Sequence, residues 1–322
     1  MRFDEEIRRA DTIAIAGHIR PDGDCVGACL GLYNYLQENY NSLFDKEIHL
    51  YMKDIPESFM FLKNSDKAKW NFEEEKQYDL FIVLDCSSAD RLGEAEKYFS
   101  IAKRKICFDH HASNSGSFAD EIVLEPDYSS TCEVLFKVME QEKISLPVAE
   151  ALYLGIVHDT GVFKHTNTSE QTMCIAGKLL SKGVNSSKII DGTFYEKSYI
   201  ENQILGRCLM ESMLVLDGKV ILSWLTHRVM ELYNVVPANL SGIIDQLRVT
   251  SGVEVAVFIY ELEPQEFKVS MRSNGLVDVS KTAMFFGGGG HKKAAGYEAG
   301  GRLHDVINNL LAGLEHQLAE LW

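Results

Sequence analysis

The chain is poor in basic charge. Its 322 residues carry 32 lysines and arginines against 47 aspartates and glutamates, a formal net charge of −15. That balance excludes a broad basic face for a long nucleic-acid duplex, and any phosphate that binds has to be neutralised locally. Proline is scarce as well, six residues beside 24 glycines, with 46% hydrophobic and 25% charged residues. This excludes a collagen-like or disordered chain and matches a soluble globular enzyme. No stretch reaches the roughly 18 uncharged apolar residues of a membrane span. The opening MRFDEEIRRADTIAIAGHIRPDGD lacks the apolar core, about 7–15 residues long, of a secretory signal. A cytoplasmic location with no membrane partner is therefore expected. The seven cysteines (Cys25, Cys29, Cys86, Cys107, Cys132, Cys174, Cys208) are odd in number and scattered through apolar segments, as in a reducing compartment, so no disulfide framework is expected. Repeats, low-complexity tracts and long single-sign runs are missing too, and Glu73–Lys76 reads as a solvated stretch.

At about 100–200 residues per domain, the length predicts two domains. In the first half, short apolar runs end on chemically able residues: TIAIAGH (Thr12–His18), LFIVLD (Leu80–Asp85) and KICFDHH (Lys105–His111). They read as buried strands. Between them, Val26–Glu38 and Thr131–Glu142 have helical period, and Pro147–Gly161 reads as an apolar helix. Strands alternating with helices predict an α/β fold with a mostly parallel sheet flanked by helices. From Gln171 to Leu216 the pattern is helical, with GVNSSK (Gly183–Lys188) as a break. Beyond it VILSWL (Val220–Leu225), VEVAVFIYE (Val253–Glu261) and FKVSMRS (Phe267–Ser273) read as strands, and Asp278–Phe286 and Leu303–Leu321 as helices. The expected organisation is a first domain over residues 1–190, a helical linker over 191–215, and a smaller α/β domain over 216–322 across a cleft.

Ligands of open parallel sheets sit beyond the carboxyl ends of the strands. His18, Asp85, Asp109, His110 and His111 all follow strands, so a shared site is expected, with Asp159 after its helix as a further member. Three clusters stand out: His18, Asp22 and Asp24; Asp85; and Asp109, His110 and His111. Taken singly, Pro21-Asp22-Gly23-Asp24 is an ordinary turn sequence and His110-His111 a satisfied buried pair. Their conjunction has no economical structural explanation. So many carboxylates ionise together only with cations between them. Oxygen and imidazole donors without thiolate suit manganese or magnesium better than structural zinc. Two such ions roughly 3.5–4 Å apart, bridged by a carboxylate, would activate a water and clamp a phosphoryl group. Cys25 and Cys29 are assigned to packing.

In the second domain GGGGH (Gly287–His291) precedes KKAAG (Lys292–Gly296) and reads as a loop. A glycine backbone lets an anion approach its N–H groups, and Arg272 at the end of FKVSMRS offers a bidentate fork for phosphate or carboxylate. A flexible loop and a surface ion pair are the plainer readings of the same residues.

HIRPDGDCVGACLGL, VLDCSSADRLG, DHHASN and GIVHDTGVF resemble the four motifs of the DHH phosphoesterase superfamily, and RSNGLVDVSKTAMFFGGGGHKKAAG resembles its associated C-terminal domain. Coverage is nearly end to end, and order and length resemble most closely the oligoribonuclease/pAp phosphatase, or nanoRNase, group. The resemblance implies one metal ion held by His18, Asp22 and Asp85 and a second by Asp24, Asp85, His110 and Asp159. It also implies that His111 faces the scissile phosphate, with Asp109 orienting a histidine. Substrate would be held by Arg272, Gly288, Gly289, Gly290 and His291, with Arg91 and Asn114 at positions that serve either phosphate binding or local scaffolding. Two departures, Asn274 and the stretch Phe163–Thr168 with Lys164 and His165, bear on substrate preference and not on the metal chemistry.

The expected function is a phosphoesterase using two divalent cations, Mn²⁺ or Mg²⁺. It would degrade short single-stranded oligoribonucleotides, di- to pentanucleotides, to nucleoside 5′-monophosphates and dephosphorylate pAp to AMP. A linear or cyclic dinucleotide phosphodiesterase, acting on pApA or cyclic di-AMP, is the alternative within enzymes, and a non-catalytic nucleotide sensor the alternative outside them. The oligomeric state stays open, a homodimer included.

Overall fold

Strands too apolar to face water on either side must be covered on both faces, and the first half of the chain supplies several. The computed structural model describes residues 3–73 and 75–319. The chain divides into two units, Met1–Glu196 and Lys197–Trp322. In the first, β1 (Thr12–Ala16), β2 (Glu47–Tyr51), β3 (Leu80–Leu84), β4 (Arg104–Asp109) and β5 (Glu121–Leu124) form an all-parallel sheet in the order β2-β1-β3-β4-β5. All five residues of β3 are buried. One face packs under the helices Gly23–Leu36, Thr131–Val138 and Leu146–Asp159. The other packs under Tyr78, Leu92, Tyr98 and Phe99. The order runs one way from β1 to β2 and the other way from β3 to β5, so the sheet reverses between β1 and β3. A crevice at the carboxyl ends of the strands belongs at such a reversal.

The sequence reading contains neither β2 nor β5. Both are edge strands, and EIHLY and EIVL are only partly buried, so neither needs the continuous apolar run that marks a central strand. The helix expected at Val26–Glu38 starts at Gly23, and beyond Leu36 it passes into a wider turn at Gln37–Asn41. The one expected at Thr131–Glu142 ends at Val138, followed by a 3₁₀ turn at Gln141–Lys143.

The second unit is a mixed six-stranded sheet. Its strands are β6 (Met213–Val215), β7 (Val220–Leu225), β8 (Val255–Glu263), β9 (Glu266–Ser273), β10 (Gly289–His291) and β11 (Ala294–Gly300), in the order β10-β11-β9-β8-β7-β6. Only β7 and β8 run parallel. The Leu303–Ala319 helix buries Val306, Leu310, Leu314 and Leu318, one residue every turn, into one core. The helices Tyr199–Met210, His227–Tyr233 and Ile243–Arg248 supply the other. Leu321, read as the end of the last helix, and residue 74 of the solvated stretch lie outside the described residues.

The glycine run is a correction to the sequence reading. Part of it is the strand β10, paired antiparallel to β11, because residues without side chains can pair closely where a loop was expected. Gly290 has φ +140, and a Cβ there would lie 2.5 Å from the Ala294 carbonyl oxygen, whereas a Cβ on Gly289 would meet nothing within 4 Å. Among the described residues no helix is long and apolar enough to cross a membrane.

Candidate metal centre

The strand ends deliver the reactive groups. His18 lies two residues beyond β1, Asp85 directly after β3, and Asp109 is the last residue of β4. Asp85 adopts the left-handed φ of +54, which aspartate tolerates better than most residues, and its N–H donates to the Phe108 carbonyl at 3.1 Å. Asp22 caps the Gly23–Leu36 helix, one carboxylate oxygen accepting the N–H groups of Asp24 and Cys25 at 3.1 Å each. Asp24, fully buried in the first turn, and Asp159, the last residue of the Leu146–Asp159 helix, complete the set. Gly155 makes room for Asp24, since a Cβ on it would lie 2.6 Å from Asp24 Oδ1.

Asp85 sits between two imidazoles. Its Oδ2 is 3.4 Å from His18 Nε2 and its Oδ1 is 3.7 Å from His110 Nε2. His18 Nε2 also lies 3.8 Å from Asp22, and His110 Nε2 lies 3.1 Å from Asp159 and 3.9 Å from Asp24. Each ring turns its other nitrogen to a main-chain carbonyl: His18 Nδ1 is 2.8 Å from the Ile19 oxygen and His110 Nδ1 is 3.3 Å from the Tyr128 oxygen. Donation from Nδ1 aims Nε2 of each ring at the carboxylates, and the neutral ring would offer its lone pair there. His110 Nε2 is buried and, among the described residues, makes no hydrogen bond of good geometry even 3.1 Å from the Asp159 carboxylate, so a cation in front of it would satisfy it.

The titration of the cluster expresses the same deficit of positive charge. Asp24 is pushed well above the usual carboxylate range, mainly by burial and then by Asp85 and Asp159. Asp159 is raised chiefly by burial. For His110 burial opposes protonation, but Asp159, Asp24 and Asp85 override it and bring the pKa up to about 10. His18 is raised against the effect of burial by Asp22 and Asp85. Asp22, an exposed side chain, is held down at about 2, against the local desolvation, by His18 and the Cys25 N–H. The metal-free cluster thus collects protons, and divalent cations would supply the missing charge. Three donor groups lie within 4.8 Å of one another in each of three sets: Asp24, His110 and Asp159; Asp85, His110 and His111; and His18, Cys25 and Asp85. The carboxylates and imidazoles fit hard or borderline divalent ions. Burial pushes the Cys25 thiol far above its usual pKa, so it packs as a neutral group.

His111 is built differently. Its Nδ1 is 2.7 Å from Asp109 Oδ1, which also accepts the N–H groups of His110 and His111 at 2.9 and 3.2 Å. Asp109 raises the His111 pKa and leaves Nε2 at the outer end of a ring more exposed than His18 or His110. Asn114, expected to serve phosphate binding or scaffolding, is buried behind this pair and donates to Asp109 Oδ2 at 2.8 Å, while its carbonyl accepts the Gly116 N–H. Arg91 accepts the Ile19 N–H on its carbonyl at 2.8 Å, and its guanidinium has no partner among the described residues.

The remaining expected residues lie in the second unit. Register pairs Ala294 of β11 with Arg272 on one side and His291 on the other, so Arg272 and His291 share a face of the sheet with only a methyl group between them. Arg272 donates to its neighbour's carbonyl and lies 3.8 Å from Asp245. Gly289 and His291 are exposed. Asn274 holds the main chain of Arg248 and Val253 at 3.1 and 2.8 Å, and His165 Nδ1 is 3.3 Å from the Asp159 carbonyl.

Two residues escaped the sequence reading. Thr131 donates its N–H to Asp24 at 2.6 Å and its hydroxyl to Asp85 at 3.1 Å, and the Cys132 N–H reaches Asp24 at 3.0 Å. Glu133, fully buried, accepts from Ser129 N and Oγ, Gln171 and Thr172 at 2.8–3.1 Å and so pins the segment carrying Thr131. The visible signal was the helix-capping pattern Ser130-Thr131-Cys132-Glu133.

Residues 12–156 match the model of the DHH family, N-terminal domain, and residues 218–320 that of the DHHA1 domain. The bifunctional oligoribonuclease and PAP phosphatase NrnA of Bacillus subtilis is 28% identical over 311 residues, covering 95% of this chain and 94% of that protein. Its namesake from Thermus thermophilus is 28% identical over 302 residues, covering 92% and 87%. The crystal structure of an exopolyphosphatase-related protein from Bacteroides fragilis matches with a TM-score of 0.85 at 26% identity, covering 98% of this chain and 94% of its own.

Thr131→Val, which keeps shape and main chain but loses the hydroxyl, is expected to weaken Mn²⁺ binding about 10–100-fold, and Thr131→Ser to stay within about threefold of the parent. Titration calorimetry on both variants checks this. Metal affinity should also rise with pH. Because the His110 pKa is up at about 10, its proton has to leave before Nε2 accepts a cation, so below that value the apparent affinity gains about tenfold per pH unit for each proton released. Mn²⁺ isotherms between about pH 6.5 and 8.5 measure the slope, and a flat profile would contradict it.

Proposed function

The chain belongs to the DHH family of phosphoesterases and carries a DHHA1 domain, and on that premise we propose that it hydrolyses di- to pentaribonucleotides to nucleoside 5′-monophosphates and removes the 3′-phosphate of pAp. The observation that carries the reading is the buried Asp85 between two imidazoles whose Nε2 atoms face carboxylates. The names borne by the Bacillus and Thermus relatives support the substrate class. His18, Asp22 and Asp85 would hold one divalent cation, and Asp24, Asp85, His110 and Asp159 a second, manganese or magnesium by the hardness of the donors. Bound there, the ions supply a nucleophilic water at neutral pH and offset the charge of the phosphoryl oxygens.

The chain's own groups do the rest. Asp109 fixes the His111 ring through Nδ1, so Nε2 is the atom that meets the scissile phosphate. With its pKa raised, His111 can give a proton to the departing oxygen. Arg272 and His291, on one sheet face beside the open Gly289, hold a further phosphate of the substrate. Lys292 and Lys293 add local positive charge. These few cations neutralise only a handful of phosphates on a chain of net charge −15, which limits substrate length.

Rates on 5′-labelled RNAs from two to about twenty-four nucleotides, a range exceeding one single-strand binding module of roughly 4–16 nucleotides, test the reading. Di- to tetranucleotides should be degraded far faster than the longest strands. Rates equal or rising with length would favour a processive exonuclease instead. Gly289→Ala is expected to leave thermal stability within about 0.5 kcal/mol, since its Cβ meets nothing, yet to raise KM by crowding the bound phosphate. An unchanged KM would remove the glycine run from substrate holding.

A further inference from the structure

Beside His18 the first unit contains a second feature that the metal chemistry does not use. A cavity of about 240 Å³ opens beyond the carboxyl ends of β1 and β2, lined by Arg20, Tyr51, Met52, Lys53, Phe72 and Leu92 among others and sharing His18 with the metal centre. Along the sheet edge it is the next position after the site over β1, β3 and β4. Sites that enclose a whole drug-sized ligand measure about 300–1,000 Å³, so this one has room for a fragment.

The walls describe the fragment. Tyr51 lies against both Tyr98 and Phe72, with ring centroids 4.7 Å and 5.7 Å away and planes within 25° of parallel, and Phe72 lies 6.5 Å from Tyr98, so the three rings form a cluster. Phe72 is the half-buried member of that cluster and lines the cavity together with Tyr51, so a planar ring entering the cavity would lie against aromatic surface. At the rim Lys53 is paired with Glu94 at 3.5 Å, but the exposed Arg20 has no ion pair or hydrogen bond among the described residues. Arg20 and Asp54, which also lines the cavity, both hold the left-handed φ unusual for residues with side chains, +55 and +59. Such backbone persists where surrounding structure enforces it, and it clusters at binding sites. An unpaired cation at the mouth of an aromatic pocket, next to a phosphate-cleaving centre, matches one nucleotide in shape and charge.

We propose that this cavity binds the nucleobase of one of the two nucleotides flanking the scissile phosphate, against Phe72, with Arg20 contacting a phosphate of the same nucleotide. The assignment rests on the oligonucleotide reading above and adds a base-contacting site on the first unit. It makes Phe72 and Arg20 affinity determinants that touch neither metal nor reacting atoms.

The test compares kcat/KM of the Mn²⁺-loaded protein on pApA and on its two analogues with an abasic residue at one or the other position. Stacking of one base on an aromatic ring is worth about ten- to a hundredfold. The wild type should lose about that factor when the base in the cavity is removed. Phe72→Ala should lose it on intact pApA and then show no further penalty with that abasic analogue, its manganese content unchanged. The same penalty in Phe72→Ala as in the wild type would overturn the proposal. Arg20→Ala, a change on an exposed and unpartnered side chain, provides the second arm. A KM for pApA raised about tenfold at unaltered kcat supports the rim contact, and an unaltered KM overturns it. If the wild type turned over no dinucleotide at all, the oligonucleotide reading would fall and take this one with it.

Discussion

Everything in the first unit is arranged around one electrostatic conflict: Asp22, Asp24, Asp85 and Asp159 converge on the Nε2 atoms of two imidazoles, with too little positive charge among them. Burying uncompensated charge costs several kcal/mol per ion even after relaxation, so the fold bears this arrangement only with extensive support. Parallel strands bring Asp85 and Asp109 to the same sheet edge. Main-chain carbonyls orient both histidine rings. The N-terminus of the Thr131–Val138 helix offers two N–H groups to Asp24, where the helix dipole also favours negative charge.

The support extends outward in order. Thr131 touches both Asp24 and Asp85, and Glu133 holds the turn that carries Thr131 with four hydrogen bonds of its own. Asn114 steadies Asp109, which in turn steers His111. The residues that act and those that aim them therefore alternate through the same short segments. The second unit follows a different logic. There Glu254 accepts four N–H or O–H groups from Ser273 to Val277, shaping the turn after Arg272 without any cluster of like charge.

The sequence makes the centre legible because buried parallel strands must be apolar on both faces, so a polar residue at the end of TIAIA, LFIVL or RKICF stands out. Edge strands carry no such contrast, which is why β2 and β5 escaped. The GGGGH segment was read as a loop because glycine has low strand preference, yet Gly288 and Gly290 lie where backbones approach too closely for a side chain. Asn274 departs from the resembling pattern, but its amide donates inside the fold to the carbonyls of Arg248 and Val253. Thr131 was missed for the opposite reason, since a threonine at a helix start has an ordinary capping explanation and its second contact, to Asp85, spans 46 residues.

Asp85 is the residue that would bridge two cations, its two oxygens turned to His18 and His110. Electron paramagnetic resonance of the Mn²⁺-titrated protein reads that directly, because manganese ions about 3.5–4 Å apart through a shared carboxylate are spin-coupled, whereas separate ions are not. The expected result is a coupled pair at saturation in the parent protein and loss of the coupling in Asp85→Asn, with the fold intact by circular dichroism. Two uncoupled ions in the parent, or a coupled pair that survives Asp85→Asn, would contradict it.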